Sequence, residues 1–156
     1  MKFALFDSVT GTIPTPPVGD TASRSDIRWV RVANARDQNR IRVRVGLSRV
    51  VYGVEWTTYL NTKLSDPGPE WKMTGYADSE WVLYRVDSWR DDGRQRNCPG
   101  SASYSKSSAR PVASWTSSRS CLGIRGKARV SVRLKDVGHG IDWAPTAREF
   151  FPGVRA

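Results

Sequence analysis

The sequence is poor in the residues that most often carry chemistry: 156 residues hold one His, two Cys and four Glu. A tetrahedral zinc site draws four ligands from closely spaced pairs, and one His with no C-x-x-C cannot supply them. A serine hydrolase elbow, G-x-S-x-G, is absent, so the single imidazole, His139 in Asp136-Val-Gly-His-Gly-Ile-Asp142, has no nucleophile on a strained turn to serve. Its flanking glycines read as an exposed loop tip. Glycoside hydrolysis is the least remote activity. It needs two carboxyls roughly 5 to 10 Å apart, for which Glu55 with Glu70 or Glu80 are the candidates, and nothing in the sequence brings them together. No D-x-D-x-D-G loop occurs; Asp7, Asp20, Asp26, Asp66, Asp136 and Asp142 near strand ends leave a structural calcium as the one cofactor to consider, against the ordinary role of Asp in turns and caps. We expect no enzyme and no other cofactor.

Long apolar runs are also missing. Nothing approaches the roughly 18 residues of a membrane-crossing helix, and the hydrophobic start from Phe3 to Phe6 is shorter than a signal-peptide core, so an exported form would have lost its leader. No stretch carries an amphipathic helical period, and no internal repeat is visible.

What is present is aromatic and basic. Hydrophobic residues make up 38% of the chain, with seven Trp, five Tyr and four Phe. That is too much large apolar surface for a disordered chain. The length fits one domain with one sizeable core. The net charge is +10, with 19 Arg and 6 Lys against 15 acidic residues. Such a surface draws phosphates, anionic glycans and acidic polymers over about a Debye length, roughly 10 Å at 0.1 M salt. A threefold excess of Arg over Lys is equally what a GC-rich genome writes wherever any cation serves.

The periodicity is that of strands. Residues 1 to 25, with Pro14, Pro16 and Pro17, read as an arm or first edge, and 26 to 156 as the domain. Ile27 to Ala33 is β-branched. In Arg40 to Leu47, Ile41, Val43, Val45 and Leu47 alternate with Arg40, Arg42 and Arg44, and the polar Asn34 to Asn39 between these segments predicts a hairpin. Val50 to Leu60 alternates again, with Val50, Tyr52, Val54, Trp56 and Leu60 on one face and Glu55, Thr57 and Tyr59 on the other. Asp66-Pro-Gly-Pro predicts a turn, Trp81 to Trp89 a strand, and Asp91-Asp-Gly a tight turn. Extended pieces follow near Tyr104 and over Val112 to Trp115, and Ala128 to Asp136 closes the pattern. Seven or eight strands without helices predict an all-β, two-sheet antiparallel sandwich, Ig-like or jelly-roll-like, or a barrel.

The segments Ser25-Asp-Ile, Arg42-Val-Arg-Val, Cys121-Leu-Gly, Arg129-Val-Ser-Val-Arg-Leu, Asp142-Trp-Ala-Pro and Phe150-Phe-Pro, in this order, resemble small exported β-sandwich proteins of actinobacteria. The resemblance spans about Asp20 to Val154. It implies export and fold rather than an activity. Cys98 and Cys121 flank a Ser-rich, Pro-containing stretch of a helix-poor chain, the arrangement of a disulfide, and the resemblance agrees.

Three function classes follow. The first is a secreted, non-catalytic binding domain for an anionic or carbohydrate-rich surface, using exposed aromatics and Arg. Trp71, Trp115 and Trp143 lie in turn-rich surroundings and are expected at the surface, with Trp56, Trp81 and Trp89 in the core. Arg40, Arg42 and Arg44 with Arg129, Arg133 and Lys135 would make one basic plateau if their strands are neighbours. The second is a protein-interaction module, an inhibitor or assembly subunit, in which the same residue types form the interface. Nucleic-acid binding by a β-barrel is a third, less natural for an extracellular protein.

Overall fold

The computed structural model describes residues 10–13, 25–49, 53–76, 80–105, 111–136 and 138–156. Eleven strands are present among them, and no helix: β1 (Thr10–Ile13), β2 (Ile27–Ala35), β3 (Arg40–Leu47), β4 (Val54–Asn61), β5 (Trp71–Tyr76), β6 (Trp81–Arg85), β7 (Arg94–Arg96), β8 (Gly100–Tyr104), β9 (Val112–Ser118), β10 (Arg129–Asp136) and β11 (Gly140–Ala144). They form two sheets, β1-β2-β3-β9-β8 and β11-β10-β4-β5-β6-β7. Every pairing is antiparallel. The expected all-β sandwich is what the chain forms.

Alternation builds the interior. Ile41, Val43, Val45 and Leu47 of β3 and Ala113 and Trp115 of β9 face Val54, Trp56 and Leu60 of β4, Trp71 and Met73 of β5, and Val130, Val132 and Leu134 of β10, in one cluster of buried residues. In β2 the pairing slips between Ile27 and Trp29. The extra residue resets the alternation, so Ile27 and Val30 are both fully buried while Trp29 turns to the outer face.

Several expectations are corrected here. The strand count is eleven rather than seven or eight because β1, β7 and β11 are too short to show a period of their own and β5 goes unread. Val50 and Tyr52 lie outside the described residues, and β4 opens at Val54. Trp81 to Trp89 is a strand only as far as Arg85. Strand β5 was hidden behind the Pro-Gly-Pro turn, yet it alternates cleanly, Trp71 and Met73 in, Lys72 and Thr74 at the outer side. Asn34 is not in the β2–β3 turn, which spans 36–39 and closes on Asn39 at φ 48. Instead it is a fully buried polar hub. Its Nδ2 donates to the carbonyls of Gly126 and Val154, each at 3.0 Å, and its Oδ1 accepts from Arg119 Nε at 2.6 Å.

The chain changes sheets three times, between β3 and β4, β7 and β8, and β9 and β10. Cys98 lies on the second crossing and Cys121 on the third, and the two form a disulfide with Cα atoms 5.8 Å apart. It therefore ties two crossings together at one end of the sandwich. The loop it closes, with a sequence separation of 23 residues, corresponds in the chain-entropy model to about 3 kcal/mol of stability. Cys98→Ser/Cys121→Ser is expected to melt roughly 6 to 12 °C below the parent in a thermal scan, at about 2 to 4 °C per kcal/mol; an unchanged midpoint would show that the two crossings hold without the bond.

Candidate functional site

Each sheet has an outer face, and the two differ in kind. On the six-stranded sheet the outer positions of β4 and β10 include Glu55, Thr57, Tyr59, Arg129, Ser131, Arg133 and Lys135. Arg133 Nη2 donates to Glu55 Oε1 at 2.9 Å, an ion pair in which both side chains are about four-fifths buried. The Tyr76 hydroxyl donates to Glu55 Oε2 at 2.9 Å. The Arg133 guanidinium also lies over the rings of Tyr59 and Trp143, each at 5.7 Å. Tyr59 and Trp143 are stacked 5.7 Å apart with 17° between their planes, Trp89 packs on Tyr59 at 5.1 Å, and Phe150 on Trp89 at 4.6 Å. This cluster covers Tyr59 so completely that a residue on the outer face is 1% exposed.

Arg129 is equally committed. Its guanidinium donates to Asn61 Oδ1 and to the carbonyls of Leu64 and Asp66, and lies 5.4 Å over the Phe150 ring. The charges of Arg129 and Arg133 are thus spent holding a loop and an aromatic cap in place.

The five-stranded sheet presents the opposite arrangement. Registers place Arg31 beside Arg44, Arg44 beside Ser114 and Ser114 beside Ser103; one row along, Arg42 sits beside Thr116 and Thr116 beside Ser101. Arg40 continues the row on β3, with its guanidinium donating to Gln38 Oε1. Arg31, Arg40 and Arg42 are exposed. A shallow groove between β3 and β8 is lined by Arg42, Arg44, Ser101, Ser103, Ser114 and Thr116, among others, and, among the described residues, by no carboxylate. Trp29 lies on the same face with the Arg31 guanidinium 4.9 Å and that of Arg44 5.9 Å from its ring. It rests on Gly46, where an added Cβ would fall 2.2 Å from the indole.

The sequence-expected site residues therefore divide. Arg40, Arg42 and Arg44 come together; Arg129, Arg133 and Lys135 lie on the other sheet, so the single plateau is replaced by two faces on opposite sides of the molecule. Trp71 and Trp115 are buried, 7% and 1% exposed, correcting the expectation that they reach the surface. Their neighbours are turn-forming residues, but alternation points both rings inward, and Trp71 Nε1 donates to the Leu122 carbonyl at 2.9 Å. Trp143 is half-buried in the aromatic cap. Trp56 is in the core as expected, and Trp81 packs half-buried against it. Trp89, expected in the core, is half-buried on the outside. Trp29 carries no signal of its own in the sequence: only the register, which pairs it with Gly46, marks it.

The remaining chemical candidates are placed by their hydrogen bonds. Glu70 is 4% exposed, and its Oε2 accepts from the amides of Thr62 at 2.6 Å and Lys63 at 3.2 Å, so it holds a loop rather than partnering Glu55. Glu80 and His139 are exposed, the latter at the β10–β11 turn. Asp142 is buried and accepts from the Ile27 amide at 2.6 Å. Asp7 and Asp20 lie outside the described residues, and among those described no three His, Cys, Asp or Glu side chains form a group suited to a metal ion.

Burial lifts the Tyr59 hydroxyl above its ordinary pKa of 10.0, and the hydrogen bond to Glu55 lifts that of Tyr76. A folded pKa above the unfolded one gives stability that is complete below pH 10 and lost as pH rises through the folded values. We expect Tyr59→Phe and Tyr76→Phe each to remove less than half of one tyrosine's tyrosinate absorbance at pH 10, and stability in denaturant titration to fall as pH rises above 10. Trp115→Ala is expected to cost about 3 to 5 kcal/mol in denaturant titration, against no more than about 0.5 for a surface position. No family model matches this chain, and neither the curated proteins nor the solved structures hold a significant match to it.

Proposed function

We propose that this is a secreted, non-catalytic binding domain whose outer five-stranded face takes an anionic polymer, such as a sulfated or phosphorylated glycan. The observation that carries the reading is the contrast between two sets of arginines. Those of β10 are consumed by Glu55, backbone carbonyls and rings. Arg42 and Arg44 of β3 stand beside hydroxyls in a groove that has no carboxylate among the described residues, and Arg31 of β2 lies beside Arg44 on the same face. Along β3, alternate residues repeat at about 7 Å, so Arg40, Arg42 and Arg44 make a straight row of cations. A flexible polyanion lying along it meets guanidiniums that fork onto sulfate or phosphate oxygens and Ser and Thr hydroxyls that accept or donate.

Trp29 contributes rigidity. Its ring on Gly46, between two guanidiniums, limits the rotamers of Arg31 and Arg44 and so lowers the entropy lost when they engage an anion. The disulfide and the absence, among the described residues, of any helix long and apolar enough to cross a membrane are compatible with an extracellular setting.

Titration with dextran sulfate, with uncharged dextran as the control for charge, tests this. Arg42→Glu/Arg44→Glu is expected to weaken dextran sulfate binding about tenfold or more and to flatten the slope of log affinity against log salt. Equal affinity in the variant and the parent would sink the proposal. Tighter binding to a single-stranded oligonucleotide than to dextran sulfate at matched salt would move it to nucleic acid.

A further inference from the structure

A second recess lies away from the basic face. It opens between the loop that joins β4 to β5 and the turn that follows β6, and is lined by Lys63, Asp66, Pro67, Gly68, Pro69 and Glu70 on one side and Arg85, Val86, Asp87, Ser88 and Trp89 on the other. Its volume, about 420 Å³, falls in the range of small-ligand sites, roughly 300 to 1,000 Å³.

Both walls are fixed from behind. On the first, Asn61 Nδ2 donates to the carbonyls of Asp66 at 2.9 Å and Gly68 at 2.6 Å, and Arg129 reaches the Asp66 carbonyl at 3.0 Å. The buried Glu70 carboxylate holds the Thr62 and Lys63 amides. Its backbone joins the walls, since the Val86 amide donates to the Glu70 carbonyl at 3.0 Å. On the second wall, Asp91 accepts from the amides of Asp87 at 2.8 Å and Gly93 at 3.0 Å. Gly93 sits at φ +83, where a Cβ would meet the Arg85 carbonyl at 2.8 Å. Trp89 is braced by Tyr59 and Phe150. The recess is therefore preformed, and a ligand entering it orders little of the protein.

Its chemistry differs from that of the basic face. The mouth carries two cations, Lys63 and Arg85, and two carboxylates, Asp66 and Asp87, which balance formally, because Glu70 is already engaged by backbone amides. Balanced charge removes the attraction for a polyanion. An indole beside paired donors and acceptors is the combination that recognises a neutral polyhydroxylated ring: the apolar C–H face covers the aromatic wall, and carboxylates and ammonium groups pair with hydroxyls. Pro67 supplies a rigid, low-polarity rim opposite, with the buried Pro69 behind it.

We propose that this recess is a subsite for one unit of a neutral saccharide, with Trp89 as its stacking wall and Lys63, Asp66 and Asp87 as its polar contacts. The site stands independently of the polyanion reading, so each can fail alone.

The test is NMR titration of the parent with the tetramers of N-acetylglucosamine, β-1,4-glucose, mannose and galactose, each to about 10 mM, enough for millimolar affinity. At least one is expected to bind, with shifts centred on residues 62–70 and 85–90. Lys63→Ala/Asp87→Ala, both exposed, is expected to weaken that binding about tenfold or more, and Trp89→Ala to abolish it. Because Trp89 also braces the aromatic cap, the rim variant carries the test independently of folding. Arg42→Glu/Arg44→Glu is expected to leave saccharide binding unchanged. No binding by any of the four, shifts centred elsewhere, or full affinity in the rim variant would overturn the assignment.

Discussion

Successive side chains on a strand point to opposite faces, and this one constraint couples the interior of the protein to its most chemically distinct surface. Burying Ile41, Val43, Val45 and Leu47 against the second sheet leaves no choice about Arg40, Arg42 and Arg44, which must line up outside. The same holds on β9, where Ala113, Trp115 and Ser117 turn in and Ser114 and Thr116 turn out. A slip of one residue in the β3–β9 register would bury a guanidinium and expose a tryptophan, so the groove is specified as strongly as the core behind it. The bulge near Trp29 breaks the rule locally, and it brings an aromatic ring onto the basic face.

Much of this was legible in the chain. Strands β3, β4 and β10 alternate over seven or eight residues, and the cysteine pair flanks a helix-free stretch. What stayed hidden has physical reasons. In Trp71-Lys-Met-Thr-Gly-Tyr the alternation is present, but the preceding Pro-Gly-Pro dominates the local signal, and Gly75, which lies beside the Trp56 ring, interrupts the apolar series. For tryptophans, composition gives number and not side. Trp115, among Ser and Thr, looks exposed, yet Ser114 and Thr116 turn out into the groove while alternation carries the ring between them inward. Trp89 looks like core because it follows an aromatic strand, yet that strand ends at Arg85 and the chain turns outward.

The two sheets also show that arginine count says little about available charge. Arg133 lies under two rings and against Glu55, and Arg129 clamps carbonyls of a neighbouring loop; both behave as structural pegs whose long stems and planar heads fill space. Arg119, 5% exposed and bonded through Nε to Asn34, is a third, its burial holding the guanidinium pKa below the ordinary value. Only the register, which decides what lies opposite each residue, separates pegs from available cations.

The order of the strands has a kinetic side. Strands β3 and β4 follow one another in sequence, yet each completes its pairing only with a partner from roughly seventy residues further on, β9 for one and β10 for the other. Until those late hairpins arrive, two apolar strands hold open backbone edges. Assembly dominated by such distant pairings belongs to the slow range, milliseconds to seconds. During that interval the unsealed edges invite pairing with other chains, and the Arg row on the outer face of β3, repelling its like on any approaching copy, acts as a gatekeeper for that strand while the sandwich closes.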